Sequence, residues 1–380
     1  MAFRLYPNTR FLYLQVAATL RAIGATTLGS PLLFDLLCLY ITGLILLDKR
    51  QNCTRITEYL PGRCHDALNR LLRVIPLSTR VIMDLLITLA ESYGLTGYLC
   101  LDDVAVEKRF SKKSPWTGWV YSGSKGGKVY GLHIVVLLWC VGIIKIPIAF
   151  RLWQPKDKCS KGRYRTKLQL AQQMMIEMQT RQLPFAYIVF DSWYNARWFT
   201  RWLDNCGLVW QSTLAKNSLV VYKNKKRRVD KLARTLKLKW RSHLELRTAV
   251  LCVYLPGYGS VRLVVTRDGH GRRTYIVTND MQADLTTIVQ RKRSRWDIET
   301  LFRDGKQFAG LAACQCRVPQ ATVRHVTFVL LTYVVLNQLK LEPSETVGEV
   351  KERLQLRVVT NNASPPPPLN GPATHYGSTA

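Results

Sequence analysis

The sequence predicts an α/β protein: a mixed β-sheet with helices, a β-rich insertion, and a preceding all-α segment. Residues 1 to about 95 repeat apolar side chains at three-to-four spacing, which is typical of helices. From residue 97 onward, short apolar runs typical of strands alternate with stretches of helical period. A third stretch, residues 214–283, shows alternating strand-like runs studded with Lys and Arg.

The helical segment contains a candidate helix-turn-helix. Residues 54–60 and a second short helix ending at Arg73 flank the Pro61-Gly62 turn. The second helix would carry side chains of the types that contact phosphates and base edges, chiefly Arg63, Arg70 and Arg73. The alternative is a helix pair that packs on a core and turns a solvated face outward. We interpret residues 1–95 as a helical DNA-binding domain.

The order of elements after residue 96 predicts the type of sheet. Three strands are followed by a helix, a strand, a helix and a strand, which is the order of the ribonuclease-H-like fold. The predicted elements are strands at 98–101, 128–139 and 146–152, a helix at 166–182, a strand at 186–190, a helix with Trp198 and Trp202, and a strand at 208–213. We therefore expect residues 96–213 to form the first part of a catalytic core.

The remaining chain divides by composition. Residues 214–283 are the β-rich insertion, and residues 284–345 supply the final helices of the core, the first of them from about 284 to 308. Residues 346–380 are expected to be a mostly disordered tail, Pro-rich from Ala363.

The charge of the chain indicates its class of partner. There are 55 Lys and Arg against 25 Asp and Glu in 380 residues, a formal charge of +30. Such a basic chain favours a polyanion, with nucleic acid first, because neutralising phosphates releases counterions. The ten cysteines show no zinc-like spacing, and Cys314 and Cys316 have no second pair. The apolar run 32–47 is short for a membrane span and contains Asp35, so a buried helix is expected and no membrane partner.

Two aspartates follow apolar strands. Asp102 comes after residues 98–101 and Asp191 after residues 186–190. Functional groups gather at the carboxyl ends of strands in α/β sheets, so these carboxylates converge if their strands are neighbours. Each taken alone is equally consistent with a turn residue. Asp103 is an alternative to Asp102.

A third acid lies on a predicted helix among cations. At 100° per residue, Lys292, Arg295, Glu299 and Lys306 fall at roughly 0, 300, 340 and 320°, so they share one face. This face is either a solvated salt-bridge stripe or a metal ligand beside phosphate-binding cations.

These segments resemble the insertion-sequence-four family of DDE transposases. That family is marked by Tyr-x(2)-Arg-x(3)-Glu-x(6)-Lys, and Arg295, Glu299 and Lys306 stand at this spacing within the text RWDIE. The family's first aspartate motif is similar to LCLDDVAVEK, which contains Asp102 and Asp103. Its second aspartate motif is similar to YIVFDSWYN, which contains Asp191. The resemblance covers residues from about 97 to 340. Lys292 stands where the family has Tyr.

The resemblance implies a DNA transposase that excises and inserts an element by metal-dependent strand transfer. Asp102, Asp191 and Glu299 would hold two Mg²⁺ (or Mn²⁺) ions, with Asp103 as the alternative first ligand, and Lys292, Arg295 and Lys306 would hold phosphates. The partners would be double-stranded DNA at element ends and target and a second copy of the chain, in the cytoplasm near the nucleoid, with no small-molecule substrate. Two alternatives stay open: a nuclease of the same fold without strand transfer, and a non-catalytic DNA-binding derivative.

Other polar and aromatic residues are expected to be mainly structural. His133 lies within an apolar strand, and Trp193, Trp198 and Trp202 are expected in the core. Some members of the family hold a flipped base on an aromatic side chain; Trp240 and Tyr275 are guesses for that role, and Trp296 lies beside the Glu299 face.

Overall fold

The computed structural model describes residues 7–49, 51–60, 63–313 and 318–360. The α-helices of these residues are α1 Pro7–Ala22, α2 Pro31–Leu46, α3 Cys53–Tyr59, α4 His65–Arg73, α5 Thr79–Ser92, α6 Lys167–Thr180, α7 Arg197–Asn205, α8 Val229–Arg234, α9 Leu285–Ser294, α10 Trp296–Gln307, α11 Pro319–Gln338 and α12 Val347–Thr360. The strands are β1 Gly97–Glu107, β2 Thr117–Ser122, β3 Gly127–Val141, β4 Ile144–Trp153, β5 Phe185–Phe190, β6 Trp210–Thr213, β7 Leu219–Tyr222, β8 Lys225–Arg228, β9 Lys239–Arg241, β10 Leu246–Leu255, β11 Gly259–Arg267 and β12 Arg273–Thr278.

One large mixed sheet organises the molecule. In its first half the order is β4-β3-β1-β5-β6; β3 is antiparallel to β1 and to β4, while β1, β5 and β6 run parallel. This is the arrangement that the ribonuclease-H-like prediction requires, and the predicted fold class is confirmed. Strand β6 then pairs antiparallel with β12, so the insertion strands β12-β11-β10-β7-β8 extend the same sheet.

The central strands are buried because helices cover both faces of the sheet. Strand β3 reads KVYGLHIVVLLWCV after its first glycine, and residues 131–140 are all buried. Helices α10 and α11 pack on the face that carries Val104, Ile134 and Val136. Helix α6 packs against β3 and β4. A continuous apolar strand of this kind is typical of a position with cover on both sides.

The N-terminal helices pack on the last two helices. Helix α2 contacts α11 and α12, α4 contacts α11, and α1 contacts α12. Their apolar residues belong to the same buried cluster as the sheet. Residue 95 therefore marks a change in secondary structure within one continuous core. The apolar run at 32–47 forms α2, which is buried from Leu33 to Ile45 apart from Asp35. Among the described residues, no helix has the length and apolarity needed to cross a bilayer.

Buried polar side chains tie these helices together. Lys351 of α12 is 2% exposed, and its ammonium donates to the carbonyls of Leu47 at 2.8 Å and Phe308 at 3.0 Å. Gln51 donates to the Leu47 carbonyl as well, at 2.7 Å. These bonds satisfy carbonyls at the ends of α2 and α10, which helical geometry leaves without intrahelical partners.

Three local expectations are corrected. Strand β1 does not end before Asp102 but continues to Glu107, because residues 102–107 still pair with β3. The expected single helix over 284–308 is two helices that meet at Arg295. The expected tail from residue 346 begins with α12, whose Val350, Leu354 and Val358 are buried. Residues 361–380, the Pro61-Gly62 turn, Cys314 and Cys316 lie outside the described residues.

Candidate active site

Strand pairing brings Asp102 and Asp191 side by side. Strand β5 is parallel to β1, with Leu101 opposite Phe190. The next residue on each strand is the aspartate, so the two carboxylates occupy adjacent positions on one face of the sheet. Asp191 is held by its own turn: its Oδ1 accepts the backbone N–H of Trp193 at 2.9 Å and of Tyr194 at 3.3 Å. Asp-initiated turns of this kind are common after strands.

The pKa values of these two acids are both raised above the ordinary carboxyl value. Burial, followed by the negative charge of Asp191, raises the pKa of Asp102 to about 7. Burial also raises the pKa of Asp191, although two backbone N–H groups and Arg295 oppose the shift. Two half-buried carboxylates in adjacent positions resist joint ionisation unless a cation neutralises them. Such perturbed acids mark candidate functional sites.

Helix α10 is fixed across β1 by its first turn. The hydroxyl of Tyr98 on β1 donates to Asp297 at 2.5 Å, and Lys145 on β4 pairs with the same carboxylate at 2.6 Å. Ile298 and Leu301 are buried against the sheet. Glu299 follows on the same helix, and its link to Asp102 is the side chain of Arg295, which contacts both carboxylates.

Arg295 joins the third acid to the first. Its Nη1 lies 3.3 Å from Oδ2 of Asp102, and its Nη2 donates to Oε1 of Glu299 in a short contact. Arg295 is the joint between α9 and α10, so its guanidinium is placed by both helices. The family motif predicts that this residue holds phosphates. In the structure it bridges two of the three acids, Asp102 and Glu299.

Asp103 belongs to a different environment. Successive side chains of a strand point to opposite faces, so Asp103 points away from Asp102. Its carboxylate accepts from Lys167 at 2.8 and 2.9 Å and from the Tyr194 hydroxyl at 2.8 Å, and lies 3.4 Å from His133 Nε2. His133 is thus buried, and its structural role stays a prediction. Sequence reasoning missed Lys167 and Tyr194, which lie 64 and 91 residues from Asp103. No local pattern signals such contacts.

The candidate ligands for divalent cations are the three acids Asp102, Asp191 and Glu299. In the described part of the chain, no three His, Cys, Asp or Glu side chains are already grouped as a metal site. The donor set nevertheless suits a hard cation, since Asp102, Asp191 and Glu299 offer oxygen ligands alone. The guanidinium of Arg295 occupies the cationic position between Asp102 and Glu299, where a metal ion would also meet carboxylate oxygens. The oxygen donors of Asp102, Asp191 and Glu299 therefore fit a divalent metal ion.

The other candidate cations lie at varied distances from this cluster. Burial and the charge of Arg295 lower the pKa of Lys292, which is half-buried on α9. Lys306 is half-buried seven residues after Glu299, roughly 10 Å along α10. Arg63 is half-buried just before α4, and Arg70 and Arg73 are exposed on it. Helix α4 packs on α2, α3 and α11, so these three arginines belong to the N-terminal layer and not to the carboxylate cluster.

The expected aromatic core is partly wrong. Trp202 is half-buried and stacks on Phe199, but Trp193 and Trp198 are exposed. The Lys167 ammonium lies 3.9 Å from the Trp193 ring centroid. Trp193 therefore packs over the lysine that donates to Asp103. Of the other aromatics singled out, Tyr275 is buried, whereas Trp240 and Trp296 are exposed.

Two family models match the chain. The one described as DDE superfamily endonuclease matches residues 35–244, and the one described as Transposase DDE domain matches residues 156–335. The first contains Asp102 and Asp191, and the second contains Asp191 and Glu299. A solved structure described as a piggyBac transposase synaptic complex with hairpin DNA is similar at a TM-score of 0.47 and 10% identity, over 94% of this chain and 82% of that one. No curated protein matches the chain.

Proposed function

The chain belongs to the DDE superfamily endonuclease family, and from this premise we propose that it is a DNA transposase that cuts and joins DNA with Asp102, Asp191 and Glu299. The observation that carries the proposal is the register of β1 and β5, which sets Asp102 beside Asp191 on the face crossed by α10. The formal charge of +30 supports a DNA substrate.

Each acid is given a specific task. Asp102 and Asp191 would hold one metal between adjacent strand positions, and Glu299 would complete the set from α10. A bound pair of Mg²⁺ or Mn²⁺ ions supplies an activated water and stabilises the leaving oxygen in phosphodiester cleavage. Asp103 is left out of this set, because Lys167 and Tyr194 already satisfy its carboxylate on the opposite face.

Arg295 would bind the carboxylates in the absence of DNA and a DNA phosphate in its presence. Without DNA it neutralises Asp102 and Glu299. With DNA bound, its forked guanidinium suits a phosphate near the cut, and Lys292 and Lys306 would add point charges beside it. This reconciles the observed ion pairs with the phosphate-binding role that the motif implies.

Finer assignments belong to the same proposal. The spacing of Arg295, Glu299 and Lys306 supports membership of the insertion-sequence-four family, with excision and strand transfer of a DNA element. A homodimer on paired element ends, contact of the N-terminal arginines with DNA, and a location near the nucleoid complete the proposal. The domain divisions at residues 95, 213, 283 and 345 remain predictions.

The experiment that tests the function asks for joining as well as cutting. The purified chain is incubated with its flanking genomic DNA, Mg²⁺ and a target plasmid, and the ends and junctions are sequenced. A transposase gives cut element ends and plasmid junctions. Cutting without junctions indicates the alternative, a nuclease of the same fold. Binding without cutting indicates a non-catalytic derivative.

A further inference from the structure

The segment between β1 and β3 is unusually basic and aromatic. Residues 108–130 contain six Lys and Arg and no acid, together with five aromatic residues. The nearest acid, Glu107, pairs with both Lys125 and Arg109 in short contacts. Six Lys and Arg in residues 108–130 against this one adjoining carboxylate leave the segment with a clear positive excess.

Three of these aromatic side chains are exposed, and Phe110, which precedes β2, is 81% exposed. Trp119 is 69% exposed and Tyr121 is 62% exposed, although both lie on a paired strand. Their partners on β3 are Tyr130 and Lys128. The Trp119 and Tyr130 rings touch edge to face at 5.7 Å between centroids, so Trp119 has a defined position. Tyrosine and tryptophan side chains are enriched at binding interfaces.

The strand register places this surface relative to the carboxylates. Cross-strand partners share a face of the sheet. On β1 and β3, Asp102 pairs with Val136, and Val106 pairs with Leu132. Two residues before Leu132 on the same face of β3 is Tyr130, which pairs with Trp119 of β2. Tyr121, two residues after Trp119, lies on this face as well. Tyr130, the partner of Trp119, lies six residues along β3 from Val136, the partner of Asp102. At the rise of a strand, this separates Trp119 from Asp102 by about 20 Å along the strand direction. Beside it lies an open concavity of about 780 Å³, whose charged and aromatic lining consists of Glu107, Arg109, Lys112, Trp119, Lys125, Lys128 and Tyr130.

We propose that this surface, the aromatic platform of Trp119, Tyr121 and the surrounding lysines, binds unpaired DNA by base stacking and phosphate contacts. The positive excess favours a polyanion over a second copy of the same cationic surface. Exposed ring faces favour unpaired bases, because the bases of a duplex are already stacked on each other. The proposal goes beyond the cutting reaction, and it rests on the proposed function only in taking DNA as the polyanion.

The test compares single-stranded with double-stranded DNA in fluorescence anisotropy, using labelled oligo-dT and a duplex of equal length. Trp119→Leu should weaken oligo-dT binding about tenfold while leaving the duplex affinity nearly unchanged. Trp119→Tyr keeps a ring and should bind oligo-dT like the wild type. Lys112→Ala combined with Lys128→Ala should lower the salt slope of oligo-dT binding by about 1.4, as expected for two lost phosphate contacts.

Several results would overturn the platform. Unchanged oligo-dT binding in both Trp119→Leu and Tyr121→Leu removes the stacking role. An equal loss for oligo-dT and duplex points to a general defect, which circular dichroism would reveal. A change in sedimentation without a change in DNA binding makes the surface a contact between copies. Cleavage is scored separately with wild-type protein, so a failure to cut counts against the proposed function and not against the platform.

Discussion

Arg295 occupies the position between two acids that a metal ion would also neutralise, so its removal should change how the protein responds to metal. In Arg295→Ala, the carboxylate of Asp102 loses its cationic partner while 16% exposed. Removing one partner of a buried pair costs roughly 3–5 kcal/mol, and the partial exposure here reduces the expected loss to about 1–3 kcal/mol. We expect the melting temperature in EDTA to fall by a few degrees.

Divalent metal should reverse this loss. A ligand at a hundred times its Kd stabilises the native state by about 2.7 kcal/mol. In the wild type, displacing the guanidinium from Asp102 and Glu299 offsets part of the stabilisation that metal binding provides. The variant has nothing to displace, so Mg²⁺ or Mn²⁺ should raise its melting temperature by more than that of the wild type.

The matched control is Arg291→Ala on the preceding helix. Arg291 pairs with Asp280 at 2.8 Å, and the two side chains are 15% and 18% exposed, close to the 20% and 16% of Arg295 and Asp102. Arg291→Ala should therefore destabilise the protein to a similar extent but gain nothing extra from metal. Thermal melts of the three proteins with EDTA, Mg²⁺ and Mn²⁺ make the comparison. If Arg295→Ala responds to metal no more than Arg291→Ala does, the idea that Arg295 stands in for a metal ion is wrong.

Three further predictions concern stability, pH and DNA contact. Lys351→Met should lower the free energy of unfolding by about 1–3 kcal/mol in urea titrations, because it leaves buried carbonyls short of a donor; unchanged stability would contradict this. Hydrogen bonds from Arg291 and two backbone N–H groups outweigh burial and lower the pKa of Asp280. This stabilisation is present above the ordinary carboxyl pKa of about 3.9 and is lost as pH falls through the lower folded value. The cost of Arg291→Ala should accordingly shrink below about pH 4, and a constant cost from pH 7 to 3 would refute the assignment. Arg70→Ala combined with Arg73→Ala should keep the fold and reduce the salt slope of duplex binding by about 1.8, whereas an unchanged slope would remove α4 from the DNA interface.

The sequence was informative where a pattern is local. The continuous apolar text of 128–139 identified the central strand, and the order of strands and helices identified the sheet, because burial on both faces leaves few alternatives. Asp191 could be placed directly after its strand for the same reason. The end of β1 could not be found, because Asp102 and Asp103 look like turn residues, although pairing with β3 carries the strand on to Glu107.

Long-range contacts were beyond the reach of the sequence. Helical arithmetic correctly grouped Arg295 with Glu299, but it could not show that the guanidinium also reaches Asp102, 193 residues away. The choice between Asp102 and Asp103 depends on which face of β1 meets α10, and that is set by tertiary packing. Helix α12 was missed because a Pro-rich stretch follows it, while its apolar face packs on helices from the opposite end of the chain.

The most direct test of the central claim is single-turnover cleavage of DNA with Mg²⁺ by four variants, each checked for folding and duplex binding. We predict that Asp102→Asn, Asp191→Asn and Glu299→Gln lose cleavage while still binding DNA, since a metal ligand is lost but the basic surface is kept. Asp103→Asn should retain cleavage, with reduced stability from its weakened bonds to Lys167 and Tyr194. Cleavage near the wild-type rate in Asp102→Asn, Asp191→Asn or Glu299→Gln, or abolition by Asp103→Asn with the Asp102 variant active, would contradict the assignment of these three acids.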